Sequence, residues 1–230
     1  MSDLTSQQVL ILPGWLNSGP DHWQSRWQAT HGYTRVDQHD WNRPLRGDWV
    51  TRLEEVVLAQ KADCAITLVA HSLGCLLVAA WAALSRNTHR IQSAFLTAPC
   101  DLSAEGAQAL LPMLSSWKPR RLSEQAVREQ AVSEQPVLEP SEPGQSAQQT
   151  LPFRSLLLAS QTDPYCNFEQ ARAMAAAWGS TLVDCGKRGH LNADSGLHNW
   201  PAGHDLLLKL QRDEIIDRRM TLRLAHPLYN

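Results

Sequence analysis

No stretch of this sequence has the ~18 consecutive apolar residues that a membrane-spanning helix requires, so no such helix is expected. Charge of one sign is not in excess. The 21 Lys and Arg nearly balance 23 Asp and Glu, leaving a net charge of −2. That excludes the basic footprint of a nucleic-acid or anionic-membrane binder. The opening residues Met1-Ser2-Asp3-Leu4-Thr5-Ser6-Gln7-Gln8 lack both a basic segment and an apolar segment, which argues against a secretory signal. Cysteine is sparse. Cys64, Cys75, Cys100, Cys166 and Cys185 are odd in number, scattered and without a C-x-x-C pair, so reduced thiols in a cytoplasmic protein are expected. No His, Cys and carboxylate cluster has metal-ligand spacing, and no Gly-rich phosphate loop follows a strand in the right form. Neither a metal nor a nucleotide cofactor is expected. Phe and Tyr number three each, whereas Trp numbers nine. Most of these Trp residues should be core or pocket lining.

What is present is an ordinary globular composition, 43% apolar and 19% charged over 230 residues, sufficient for one domain. Short apolar runs alternate with helical patterns. Val9-Leu10-Ile11-Leu12, Ala65-Ile66-Thr67-Leu68-Val69, Ile91 to Ala98, Ser155 to Ser160 and Thr181 to Asp184 read as strands, with a weaker one at Tyr33-Thr34-Arg35-Val36. Helices are expected after Asp21-His22-Trp23, with Asp21 as cap, and after Asp48 as cap of Trp49, Leu53, Val56 and Val57. Further helices are expected after Ser72, after Asn167 and from Trp200-Pro201. This alternation predicts a parallel sheet covered on both faces, with ligands at the strand C-terminal edge. Residues 101–150 differ in character. A short helix is expected over 104–114, but from Ser123 to Thr150, 15 of the 28 residues are Ser, Glu or Gln. This reads as an insertion, either a lid or a solvated excursion. Residues 211–230 read as a charged extension.

The chain is organised around Ala70-His71-Ser72-Leu73-Gly74. An apolar strand precedes it, and Leu73, Leu76, Leu77, Ala80, Trp81 and Leu84 follow at helical spacing. Strand, tight turn and helix form the context of a nucleophile elbow, in which the turn raises the serine and the helix amides point at the same place. Ala70 stands where Gly is usual. Small residues suit the positions two before and two after the serine, read as facing each other across a strained turn. A serine hydroxyl needs a base, and the base an orienting acid. Asp163 and His190 follow Ser72 in the order Ser, acid, His, each just past a strand end. Asp101 could substitute as acid. Asp194 reads as a tether of the histidine loop, and Asp184 as part of its strand. His71 should point away from Ser72, and His22, His198 and His204 read as structural. The oxyanion amides are those of Leu73 and of either Trp15 or Leu16, in the loop after the first strand. Trp15, Trp23 and Trp41 are candidates for the substrate pocket.

Several of these segments together resemble the YdeN-like serine hydrolases, a family that includes retinoblastoma-binding protein nine. They are Val9 to Gly14, Asp21-His22-Trp23, Ala70 to Gly74, Ala159-Ser160-Gln161-Thr162-Asp163-Pro164-Tyr165 and Gly189-His190-Leu191-Asn192-Ala193-Asp194-Ser195-Gly196. The resemblance spans about residues 7–210 outside the insertion. It implies a compact α/β-hydrolase with Ser72, Asp163 and His190 as triad. The L-x-C-x-E motif linked to pocket-protein binding in the mammalian relative is absent here. The expected architecture is a single α/β-hydrolase domain with about six mostly parallel strands in the order 2-1-3-4-5-6. The expected activity is cleavage of a small-molecule ester, or else an amide, through an acyl-enzyme. The same residues would also serve an acyltransferase, or an interaction module with a vestigial triad.

Overall fold

The computed structural model describes residues 7–103, 112–118 and 150–214. Six parallel strands form one sheet in the order β2-β1-β3-β4-β5-β6: β1 (Gln7–Leu12), β2 (Thr34–Arg35), β3 (Ala65–His71), β4 (Ile91–Thr97), β5 (Arg154–Ala159) and β6 (Thr181–Asp184). Among the described residues five helices connect or follow them: α1 (Trp23–His31), α2 (Arg46–Ala59), α3 (Leu73–Leu84), α4 (Phe168–Trp178) and α5 (Pro201–Gln211). The expected order is the one found.

The strands are apolar on both sides because both sheet faces are covered. Successive residues feed two separate cores, as a period of two requires. Leu68 and Ala70 of β3, and Ala94 and Leu96 of β4, pack with α2, α3 and α4. Val69 and Phe95, between them, pack with α1 and α5 through Trp23, Trp27, Leu206 and Leu207. This two-sided burial holds the sheet rigid and leaves its C-terminal edge for the loops that carry chemistry.

Two helix starts differ from the sequence reading. His22, not Asp21, caps α1, its Nδ1 accepting from the Gln24 amide at 3.2 Å. α2 begins at Arg46, so Asp48 lies inside its first turn, where its carboxylate favours the helix dipole. The cap comes instead from across the fold, because Ser116 Oγ accepts from the Arg46 amide at 3.1 Å. Gln211, read as the start of the extension, is the buried last residue of α5, and its carbonyl accepts from Gln92. The insertion is described only at 101–103, 112–118 and 150. The short helix expected over 104–114 lies largely outside the described residues, as does the extension beyond 214.

Candidate active site

β3 ends on His71 and α3 begins on Leu73, so Ser72 alone makes the turn. Its backbone sits at φ 55° and ψ −121°, a conformation that surrounding structure must impose on a residue with a side chain. One restraint is the Ser72 amide, which donates to the Thr97 carbonyl of β4 at 3.0 Å. Close packing supplies another. A Cβ on Gly74 would stand 2.3 Å from the Leu12 carbonyl oxygen, so no larger residue fits there unless β1 moves. The need for glycine two positions after the serine thus comes from β1. It does not come from a residue facing it across the turn, as the sequence reading had it. Ala70 points its side chain into the core of α2, α3 and α4.

His190 and Asp163 arrive from the loops after β6 and β5. His190 Nε2 lies 2.9 Å from Ser72 Oγ, and His190 Nδ1 lies 2.9 Å from each Asp163 oxygen. The Asp163 side chain is 2% exposed and that of His190 10%. Asp163 Oδ1 also accepts from the Tyr165 amide at 2.9 Å, which fixes the carboxylate plane. A carboxylate at Nδ1 places the imidazole proton there and turns the Nε2 lone pair towards the serine hydroxyl. The alternative acids are engaged locally. Asp101 accepts from Ser103, Asp184 from Gln161 and Gly186, and Asp194 from Asn192.

The loop after β1 closes on the elbow from the other side. A Cβ on Gly14 would stand 2.8 Å from Ser72 Cβ and 3.3 Å from the Leu73 nitrogen. Only glycine allows this approach, which brings the Gly14–Trp15 peptide beside the first amide of α3. Leu16 is removed as an oxyanion donor, because its amide already donates to the Trp41 carbonyl at 3.1 Å. A cavity of about 330 Å³ opens above Ser72 and His190, with Trp15, Leu16, Cys100 and Leu114 among its walls.

The sequence matches the serine hydrolase family over residues 9–209. The chain belongs to that family. In structure it is similar to a YdeN-like hydrolase from Pectobacterium atrosepticum, with a TM-score of 0.67 and 22% identity over 92% of this chain and 94% of that one. The ydeN product of Bacillus subtilis gives a TM-score of 0.61 and 19% identity over 90% of this chain and 98% of its own. The carboxylesterase CesB, also from Bacillus subtilis, gives 0.55 and 16% over 94% and 86%. At these identities the likeness is one of fold. No curated protein matches the chain by sequence.

In this serine hydrolase, two of the three Trp candidates lie away from the cavity. Trp23 is 1% exposed, packs against Trp27 and Trp200, and donates from Nε1 to the Leu191 carbonyl at 2.8 Å. Its place in α1 turns it into the core with Trp27, where its indole N–H braces the histidine loop. Trp41 stacks edge-on against Trp49 at 5.4 Å, so it supports the Trp15 loop from behind. Trp15 remains a wall.

The structure also recruits residues that sequence reading set aside. His71 turns away from Ser72 but reaches the loop of His190. Its Nε2 lies 2.9 Å from the His190 carbonyl oxygen. Its ring lies between those of His22 and His190, at 4.7 and 4.8 Å. Burial holds His71 well below the ordinary histidine range, helped by the neighbouring His22 and His190. Burial lowers His22 as well, to about 3, with His190 and Arg35 adding to the shift. Both rings are therefore neutral at pH 7. Gln24, fully buried on α1, donates to the carbonyls of Leu12 and Val69 and accepts from Ser18 Oγ, joining the ends of β1 and β3 to the Trp15 loop. Its only local signal was a polar residue on an otherwise inward helix face. Cys100 lines the cavity, but burial pushes its thiol up to about 12, so it is protonated and a poor nucleophile. Among the described residues no cluster of His, Cys, Asp and Glu could hold a metal ion, and no helix is long and apolar enough to cross a membrane.

Proposed function

We propose that this protein hydrolyses a carboxylic ester of a small molecule through an acyl-enzyme. The observation that carries the reading is the continuous hydrogen-bonded chain from Ser72 Oγ through His190 to Asp163, at the floor of a cavity. Ser72 Oγ attacks the ester carbonyl carbon while His190 Nε2 takes its proton. Asp163 holds the tautomer and stabilises the imidazolium. The amides of Leu73 and Trp15 receive the oxyanion. The bond to the alcohol oxygen then breaks, and His190 returns the proton to that oxygen. Water, activated by the same base, attacks the acyl-enzyme and frees the carboxylic acid and Ser72. An amide would follow the same route with a poorer leaving group. The described cysteines are all free thiols, which suits a reducing cytoplasm.

The test is labelling by a fluorophosphonate together with hydrolysis of 4-nitrophenyl butyrate. Ser72→Ala should abolish labelling and lower turnover by on the order of 10⁶-fold. Undiminished hydrolysis in that variant would overturn the assignment.

A further inference from the structure

A second cavity of about 890 Å³ lies beside the one above Ser72. Tyr165, His190 and Asn192 border both. The two differ in chemistry. The first has the apolar walls Trp15, Leu16 and Leu114. The second is lined by Thr162, Lys187, Arg188, Asp194 and Ser195. Resting on the ester-hydrolase reading, the reaction itself assigns these two spaces. His190 Nε2 gives its proton to the departing oxygen, so the alcohol must stand on the His190 side of the scissile bond and the acyl chain on the other.

The charges in the second cavity then bear on the alcohol. Its one carboxylate, Asp194, is in contact with Asn192 Nδ2 at 3.4 Å. Lys187 is exposed, and among the described residues no hydrogen bond or ion pair engages its ammonium. Its backbone is nevertheless fixed. The Gly186 amide donates to Asp184, the Arg188 amide to Ser160 Oγ, and the Gly189 amide to Thr162 Oγ1, at 2.8, 2.9 and 3.1 Å. The stem of Lys187 therefore leaves from a rigid loop one turn from the base. We infer that the second cavity is the leaving-group subsite and that it selects an alcohol carrying an anionic group, a carboxylate or a phosphate, through Lys187.

Two butyryl esters test this, one of 4-hydroxybenzoate and one of its neutral methyl ester, with phenyl phosphate bearing the butyrate as a third arm. The quantity read is the ratio of kcat/KM for anionic over neutral ester, compared between the natural protein and Lys187→Glu. The comparison cancels the intrinsic reactivity of each alcohol. The ratio should fall about three- to fivefold or more in the variant, the scale of a single exposed ion pair, and should fall likewise on adding salt to the natural protein. A larger fall for the phosphate than for the carboxylate, or the reverse, identifies the favoured anion. An unchanged ratio while both esters are turned over overturns the subsite and leaves the esterase reading standing. If neither ester is cleaved and Ser72 does not label, the esterase reading fails. Equilibrium binding of free 4-hydroxybenzoate against its methyl ester then decides the cavity's preference by itself, and equal binding overturns it.

Discussion

His71 Nε2 lies 2.9 Å from the carbonyl oxygen of His190, although the two residues stand 119 positions apart. The residue before Ser72 thus holds the main chain of His190. Trp23 Nε1 does the same one residue on, at the Leu191 carbonyl, where the backbone turns to φ 48°. Since His71 is neutral and its Nε2 meets a carbonyl, that nitrogen carries the proton.

His71 is therefore expected to act as a positioning residue for His190. In His71→Leu the loop loses its donor, and a buried carbonyl is left without its partner. Turnover should fall about 10²-fold with little change in KM, the scale of an ångström-level misplacement of a catalytic group. His71→Gln, which can place an amide donor near the same carbonyl, should recover part of the loss in kcat. An unchanged kcat in the Leu variant, or a loss confined to KM, would reduce His71 to a packing role.

Gly14 is expected to be as sensitive as the triad. In Gly14→Ala the added methyl would sit 2.8 Å from Ser72 Cβ. Either the elbow or the β1 loop must shift, and both carry an amide of the proposed oxyanion hole. The expected outcome is a loss of about 10²-fold or more in turnover, alongside a destabilisation of roughly 1–3 kcal/mol from overpacking. Fluorophosphonate labelling rate and the urea midpoint would separate the two effects. A stable variant of normal rate would show that the two loops do not need this contact.

Stability should fall as pH drops below about 6.5, before most carboxylates titrate. His22 and His71 are buried neutral, with pKa values pushed down in the folded state, to about 3 for His22. Unfolded, both bind protons near pH 6.5, so the unfolded state binds more protons below that value. Stability is then fully present above pH 6.5 and is lost progressively as pH falls towards 3, with a slope of up to about 1.4 kcal/mol per pH unit for each histidine. Urea midpoints between pH 7.5 and 5 measure this. Replacing His22 by Gln should flatten the slope, and an identical slope in that variant would count against the assignment.

Much of the fold was legible because its signals are local. The continuous apolar runs of β3 to β5, helical spacing after Ser72 and Asn167 at the cap of α4 are each decided within a few residues. The order of Ser72, Asp163 and His190 at three strand ends was legible for the same reason, since in a parallel sheet strand ends share one edge. Other features are pairings across the chain, which leave no local trace. The Leu16 amide was lost to Trp41, and Trp23 went to the core, where its indole braces Leu191. Arg46 found its cap on Ser116, and Gly14 and Gly74 are demanded by backbones that pack against them. Sequence by itself determined which residues could do chemistry and on which edge they would meet. Tertiary packing decided which amides of the Trp15 loop are already partnered and which side chains hold the His190 loop in place. A hydrogen bond is used once, and its partner is chosen only when distant segments come within about 3 Å of each other.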